Sequence, residues 1–95
     1  MLVMTRSVNN KVALDVKFAK LVTNSIARFV KRDWGEIDDE DTKANNWAID
    51  NGERVLAAYG TEPHKIWIIR ERDVHYYDGE AHNGSATTVL FTSEY

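Results

Sequence analysis

Across residues 16–32, apolar side chains fall at Phe18, Leu21, Val22, Ile26, Phe29 and Val30. This i, i+3, i+4, i+7 recurrence lays one apolar stripe along a helix. A helix is therefore predicted over 16–32, with Asp15 as its N-cap, preceded by a shorter one over 8–14 that Ser7 can cap. A third is predicted from Asp38 or Asp39 to about Asn51, where Gly52 takes the position of a helix-ending glycine. Ala44, Trp47 and Ala48 form its narrow apolar face. Between the second and third helices stands Trp34-Gly35, set in a run of acids. It reads as a corner, with the indole pinned in a core and the glycine free to adopt a backbone conformation that other residues resist.

The second half changes period. Residues 54–59 (Arg-Val-Leu-Ala-Ala-Tyr) are apolar on both faces and read as a buried central strand. A turn at 60–64 leads to a second such strand, built on Ile66-Trp67-Ile68-Ile69, and Thr87-Thr88-Val89-Leu90-Phe91 is the last clear one. Residues 2–5 suit an edge strand. Three successive strands with short links favour an antiparallel meander. Helices packed on one face then give a single two-layer α+β domain over residues 1–95, with an antiparallel sheet of three to four strands. The helical part occupies 7–51 and the meander 54–92. Within the meander, 74–84 carries the turn dipeptides Asp78-Gly79 and Asn83-Gly84 and reads either as an extended hairpin arm or as a loop beyond the sheet.

Ninety-five residues suffice for one modest core. With no cysteine there is no disulfide framework and no thiolate chemistry. No apolar run reaches the length of a membrane span, and residues 1–4 lack the pattern of a signal peptide. Cytoplasmic residence and no membrane partner are the expectations. Net charge is only -3 but unevenly spread. Residues 1–32 hold seven bases against one acid, and residues 33–95 five bases against fourteen acids. Such asymmetry implies either internal pairing or a charged partner.

Candidate chemistry points away from catalysis. The chain has no Gly-rich phosphate loop, no nucleophile elbow and no metalloprotease helix. His75 and His82 flank a stretch that also holds Asp73, Asp78 and Glu80, but their spacing matches no metal motif. No catalytic residue, metal or cofactor is expected. Binding remains. Asp33, Glu36, Asp38, Asp39, Glu40 and Asp41 place six carboxylates within nine residues. Acids at a helix start serve capping, yet on a rigid corner they can also imitate the phosphates of a nucleic acid. His75, Tyr76, Tyr77 and Asp78 add interface-type side chains in the 74–84 stretch. As an alternative, Lys17, Lys20, Arg28 and Lys31 gather on the polar face of the long helix and could contact nucleic-acid phosphates. A homodimer joined along residues 2–5 stays open as a third reading.

Taken together, Arg32-Asp33-Trp34-Gly35-Glu36, Glu40-Asp41, Ala44-Asn45, Gly52-Glu53-Arg54-Val55-Leu56-Ala57-Ala58-Tyr59, Lys65-Ile66-Trp67-Ile68-Ile69 and Thr87-Thr88-Val89-Leu90-Phe91 with Ser93-Glu94-Tyr95 resemble a family of small bacterial proteins found on plasmids, phages and other mobile elements. The resemblance covers residues 6–95 and carries no catalytic residues. This chain departs from the pattern by an insertion of about ten residues at 74–84, which reads either as the loop that holds what is specific to this protein or as a drifted loop. The mobile-element association implies a non-catalytic inhibitor of a host defence nuclease or CRISPR effector, working in the bacterial cytoplasm through the acidic surface and the inserted aromatic loop. The alternative is a small plasmid or phage nucleic-acid-binding regulator that uses the basic helix face.

Overall fold

One threonine and two aspartates set where the helices begin. The computed structural model describes residues 2–72, 74–77, 80–83 and 86–95, with the backbone alone for 74–77 and 80–83. Strand β1 (Leu2–Met4) leads directly into α1 (Arg6–Leu14). Thr5, not Ser7, is the cap: its Oγ1 accepts a hydrogen bond from Val8 N at 3.3 Å. The reason lies in the strand, because Thr5 N still donates to Val89 O at 3.0 Å. The ladder holds Thr5 extended, and the chain turns helical at the next residue. Asp15 has two tasks. Its N–H closes α1 on Lys11 O, and its carboxylate accepts from Phe18 N at 3.1 Å to start α2 (Val16–Val30). Asp38 starts α3 (Asp39–Asp50) by accepting from Asp41 N at 2.7 Å.

Helices α2 and α3 end alike on different residues. After α3, Gly52 takes the left-handed conformation (φ 67°) and Glu53 N reaches back to Ala48 O. After α2, Arg32 occupies the same left-handed position (φ 64°), Arg32 N bonds Phe29 O, and Asp33 N bonds Arg28 O. These two bonds are the Schellman pattern, in which glycine is the usual left-handed residue.

The main sheet has the order β1-β6-β3-β2, built from β1, β2 (Val55–Tyr59), β3 (Ile66–Arg70) and β6 (Thr87–Phe91). The last three form the expected antiparallel meander, with Ala57 opposite Ile68 and Ile68 opposite Val89. Strand β1 joins β6 in parallel, so the sheet is mixed at one edge. Within the 74–84 stretch, the described residues form a two-stranded antiparallel sheet of their own, β4 (Val74–Tyr77) against β5 (Glu80–Asn83), with Tyr76 opposite Ala81.

The helices cover one face of the sheet. Val55, Ala57 and Tyr59 of β2, Ile66 and Ile68 of β3 and Val89 of β6 meet Val8, Phe18, Val22, Trp34 and Ala48 in one buried cluster. Ser25 lies on the same side of α2, 1% exposed, its hydroxyl donating to Leu21 O within its own helix. Two parts of the predicted apolar faces stay outside. Val30 is 76% exposed, because α2 ends there and turns away. In α3 the buried positions are Asn45 and Ala48, while Trp47 is 61% exposed. Helix α3 is thus rotated so that an amide, not the indole, faces the sheet.

Candidate functional site

The corner after α2 is built by pairing with the outer edge of β2. Trp34 O accepts from Ala58 N at 3.1 Å, and Glu36 N donates to Ala58 O at 2.7 Å. Gly35 sits between them at φ 78° as a parallel bridge partner of Ala58. A Cβ at Gly35 would run into the Ala58 carbonyl and come within 2.7 Å of the Tyr59 ring. Two residues earlier on the strand, the Asn45 side chain takes both backbone groups of Leu56, donating to its oxygen at 2.8 Å and accepting from its nitrogen at 3.4 Å. Residues 54–59 were expected to be a central strand. Strand β2 is instead the edge, and its outward backbone groups are satisfied by the corner and by Asn45, which is why an apolar strand is tolerated there.

Further bonds cross-link the corner. Trp34, 3% exposed, donates its indole N–H to Asn46 Oδ1 at 2.9 Å and meets Phe29 edge to face, ring centres 5.2 Å apart. Tyr59 donates its hydroxyl to Asp33 O at 2.7 Å. The Arg28 guanidinium lies 5.1 Å from the centre of the Tyr59 ring and grips Asp33 with two bonds, Nε to Oδ2 at 2.8 Å and Nη2 to Oδ1 at 3.2 Å. Arg28 and the Gly35 N–H together hold the Asp33 carboxyl below its ordinary range, and Asp33 in turn raises Arg28. Burial pushes the Tyr59 phenol up. Arg32 reaches Asp50 at 2.8 Å.

The six acids therefore divide. Asp33 is neutralised by Arg28, and Asp38 is spent on the helix cap. Glu36, Asp39, Glu40 and Asp41 are exposed and form no ion pair among the described residues. Three of these four fill the first turn of α3, where the helix dipole favours negative charge. The polar face of α2 divides as well. Arg28 is consumed by Asp33, whereas Lys17, Lys20 and Lys31 are exposed and without ion pairs among the described residues. Part of the charge asymmetry is thus settled internally, at Arg28–Asp33 and Arg32–Asp50.

His75, Tyr76 and Tyr77 lie on β4, where their backbone alone is described, and Asp78 falls outside the described residues. Among the described residues, no group of three His, Asp or Glu side chains is placed to hold a metal, and no helix is long and apolar enough to cross a membrane. Asn45 and Arg32 matter to the corner and were not legible as such. An asparagine inside a polar helix and an arginine after an apolar stripe look like ordinary surface residues. No protein-family model, curated protein or solved structure matches the chain.

Proposed function

We propose that the protein is a non-catalytic binding protein that presents Glu36, Asp39, Glu40 and Asp41, together with the β4–β5 pair, to a basic surface on another protein. The partner is a nucleic-acid-binding defence enzyme, such as a CRISPR effector or a restriction nuclease, whose phosphate channel the carboxylates occupy. One observation carries the reading. Four carboxylates form no ion pair among the described residues and stand at a corner that hydrogen bonds and an ion pair cross-link. Rigid charge of one sign steers a complementary partner and loses little entropy on docking. The resemblance to mobile-element proteins supplies the class of partner. The test is a DNA-cleavage assay with purified effectors of a bacterial host. Inhibition by the intact chain, lost when Glu36, Asp39, Glu40 and Asp41 are changed to their amides, is the expected result. Neither association nor inhibition across those enzymes overturns the reading.

A second reading rests on Lys17, Lys20 and Lys31, three exposed lysines on one face of α2 without carboxylate partners among the described residues. They suit a nucleic-acid backbone. Binding of the purified chain to DNA or RNA that falls steeply with salt, and with Lys17→Glu and Lys20→Glu, favours it.

A further inference from the structure

A cleft lies near the start of α2, where Phe18 stacks on Phe91 of the cleft lining, some ten residues and about 15 Å along the helix from Arg28 at the acidic corner. Here α1, the 61–65 turn and the residues from the end of β6 border an open cleft of about 310 Å³ lined by Lys11, Glu62, Pro63, His64, Lys65, Phe91, Thr92 and Ser93. The cleft carries two ammonium groups against one carboxylate. That carboxylate is engaged, since Glu62 Oε1 accepts from Thr92 Oγ1 at 2.7 Å. Lys11 is held over the Phe18 ring, 5.5 Å from its centre, and its contact with Asp15 is long, at 4.0 Å. The Asp15 carboxylate is itself drawn toward the first turn of α2 by Phe18 N. Lys65 has no ion pair, and the Ser93 hydroxyl no hydrogen bond, among the described residues. A half-buried Phe91, stacked on Phe18 at 5.4 Å, forms an apolar wall with Pro63.

Two ammonium groups lining one cleft, with a hydroxyl that has no hydrogen bond among the described residues, suit a phosphate. No arginine lines the cleft, so a phosphate there is held by lysine point charges rather than by a bidentate fork. The volume is at the small end for ligand clefts and suits a small molecule rather than a polymer. We propose that this cleft binds a mononucleotide-sized phosphate monoester, its phosphate between Lys11 and Lys65 near Ser93 and its ring against Pro63 and Phe91. The site is independent of the acidic corner and of the function proposed for it.

The test is a nitrogen–proton correlation titration of the intact chain at low salt with adenosine monophosphate, inorganic phosphate and adenosine. Saturable shifts confined to Lys11, residues 61–65 and residues 91–93 are expected with the nucleotide, weaker ones with phosphate and none with adenosine. Lys65→Gln and Ser93→Ala should each weaken nucleotide binding about fivefold while leaving the signals of residues 33–41 in place. Lys11→Gln should weaken it further, its fold checked by the same signals. The absence of saturable shifts, or binding indifferent to Lys65→Gln, overturns the site. Phosphate binding as tightly as the nucleotide overturns the ring contact, and a single-stranded oligonucleotide binding more tightly than the nucleotide overturns the assignment to a small molecule.

Discussion

The side-chain amide of Asn45 stands in for a missing β-strand, pairing with both the N–H and the C=O of Leu56 on the outer edge of β2. The residue is 7% exposed, so neither partner has water as a ready substitute. Asn45→Ala should therefore leave the Leu56 carbonyl unsatisfied and cost about 2–3 kcal/mol, mostly as desolvation without compensation. Asn45→Asp keeps the acceptor but sets a carboxylate against that carbonyl, and should cost more. Urea unfolding with an unchanged m-value checks both. A loss below about 0.5 kcal/mol for the alanine variant would show that the two bonds are dispensable.

Gly35 makes the complementary closure two residues further along the same edge. A side chain there meets the Ala58 carbonyl and the Tyr59 ring, at a φ that residues with a Cβ rarely adopt. The Ala58 backbone cannot step aside without breaking the Trp34–Ala58 and Glu36–Ala58 bonds. Gly35→Ala should cost more than about 3 kcal/mol and lower Tm by about 15 °C or more. Calorimetry of the variant beside Gly52→Ala, whose left-handed position only ends a helix, separates the crowding at the corner from the cost of φ alone.

How far the fold is legible follows from which forces are local. The stripe Phe18, Leu21, Val22, Ile26 and Phe29 announces α2, because helical burial is written at a fixed period. Asp15 and Asp38 announce helix starts, because a cap bonds only two or three residues ahead. The Trp34-Gly35 corner is equally plain. Thr5 is not, since its choice over Ser7 depends on a bond to Val89 in a strand more than eighty residues away. Nor is the identity of β2 as an edge. A strand apolar on both faces reads as central, and only the Asn45 amide and the 34–36 backbone, both supplied from a distance, make an edge acceptable there. The candidate site splits the same way. Six acids are visible as a cluster, but the withdrawal of Asp33 by Arg28 depends on the left-handed turn at Arg32, which no residue preference announces.

That withdrawal leaves a mark on the pH dependence. Asp33 is depressed below its ordinary value of 3.8, chiefly by its bonds from Arg28, and Asp15 chiefly by the Phe18 N–H. A carboxylate depressed in the folded state stabilises it above the unfolded pKa, and that stability is lost as pH falls through the folded value. Acid unfolding should therefore begin below about pH 4, and Asp33→Asn should flatten that limb. Tyr59 acts in the opposite sense. Its raised phenol means stability is present below about pH 10 and declines above it, as the unfolded chain releases the proton first. Tyr59→Phe should cost about 1 kcal/mol at neutral pH, through the lost bond to Asp33 O, and remove part of the alkaline decline. Urea midpoints measured from pH 2 to pH 11 check both limbs; parallel curves for the wild type and both variants would refute the assignment.

Capping and recognition make opposite demands on the acids of α3, and this separates them. Asp38 is bonded to Asp41 N and contributes to stability, so Asp38→Ala should cost about 1 kcal/mol and lower Tm by about 5 °C. It removes one charge beside the four that project, and partner binding should change only about twofold. The triple change Asp39→Asn, Glu40→Gln, Asp41→Asn keeps the cap and the shape of the turn. It forfeits only the favourable helix-dipole interaction, a loss of about 1 kcal/mol or less at ordinary salt. If these carboxylates meet a basic channel, the same triple change should slow association by about tenfold or more and make the remaining rate nearly independent of salt. Association kinetics at two ionic strengths, read beside thermal unfolding of the same variants, give both quantities. A triple variant that loses stability as Asp38→Ala does but keeps its salt-dependent association would mean that the acids serve the helix and that the partner is recognised elsewhere.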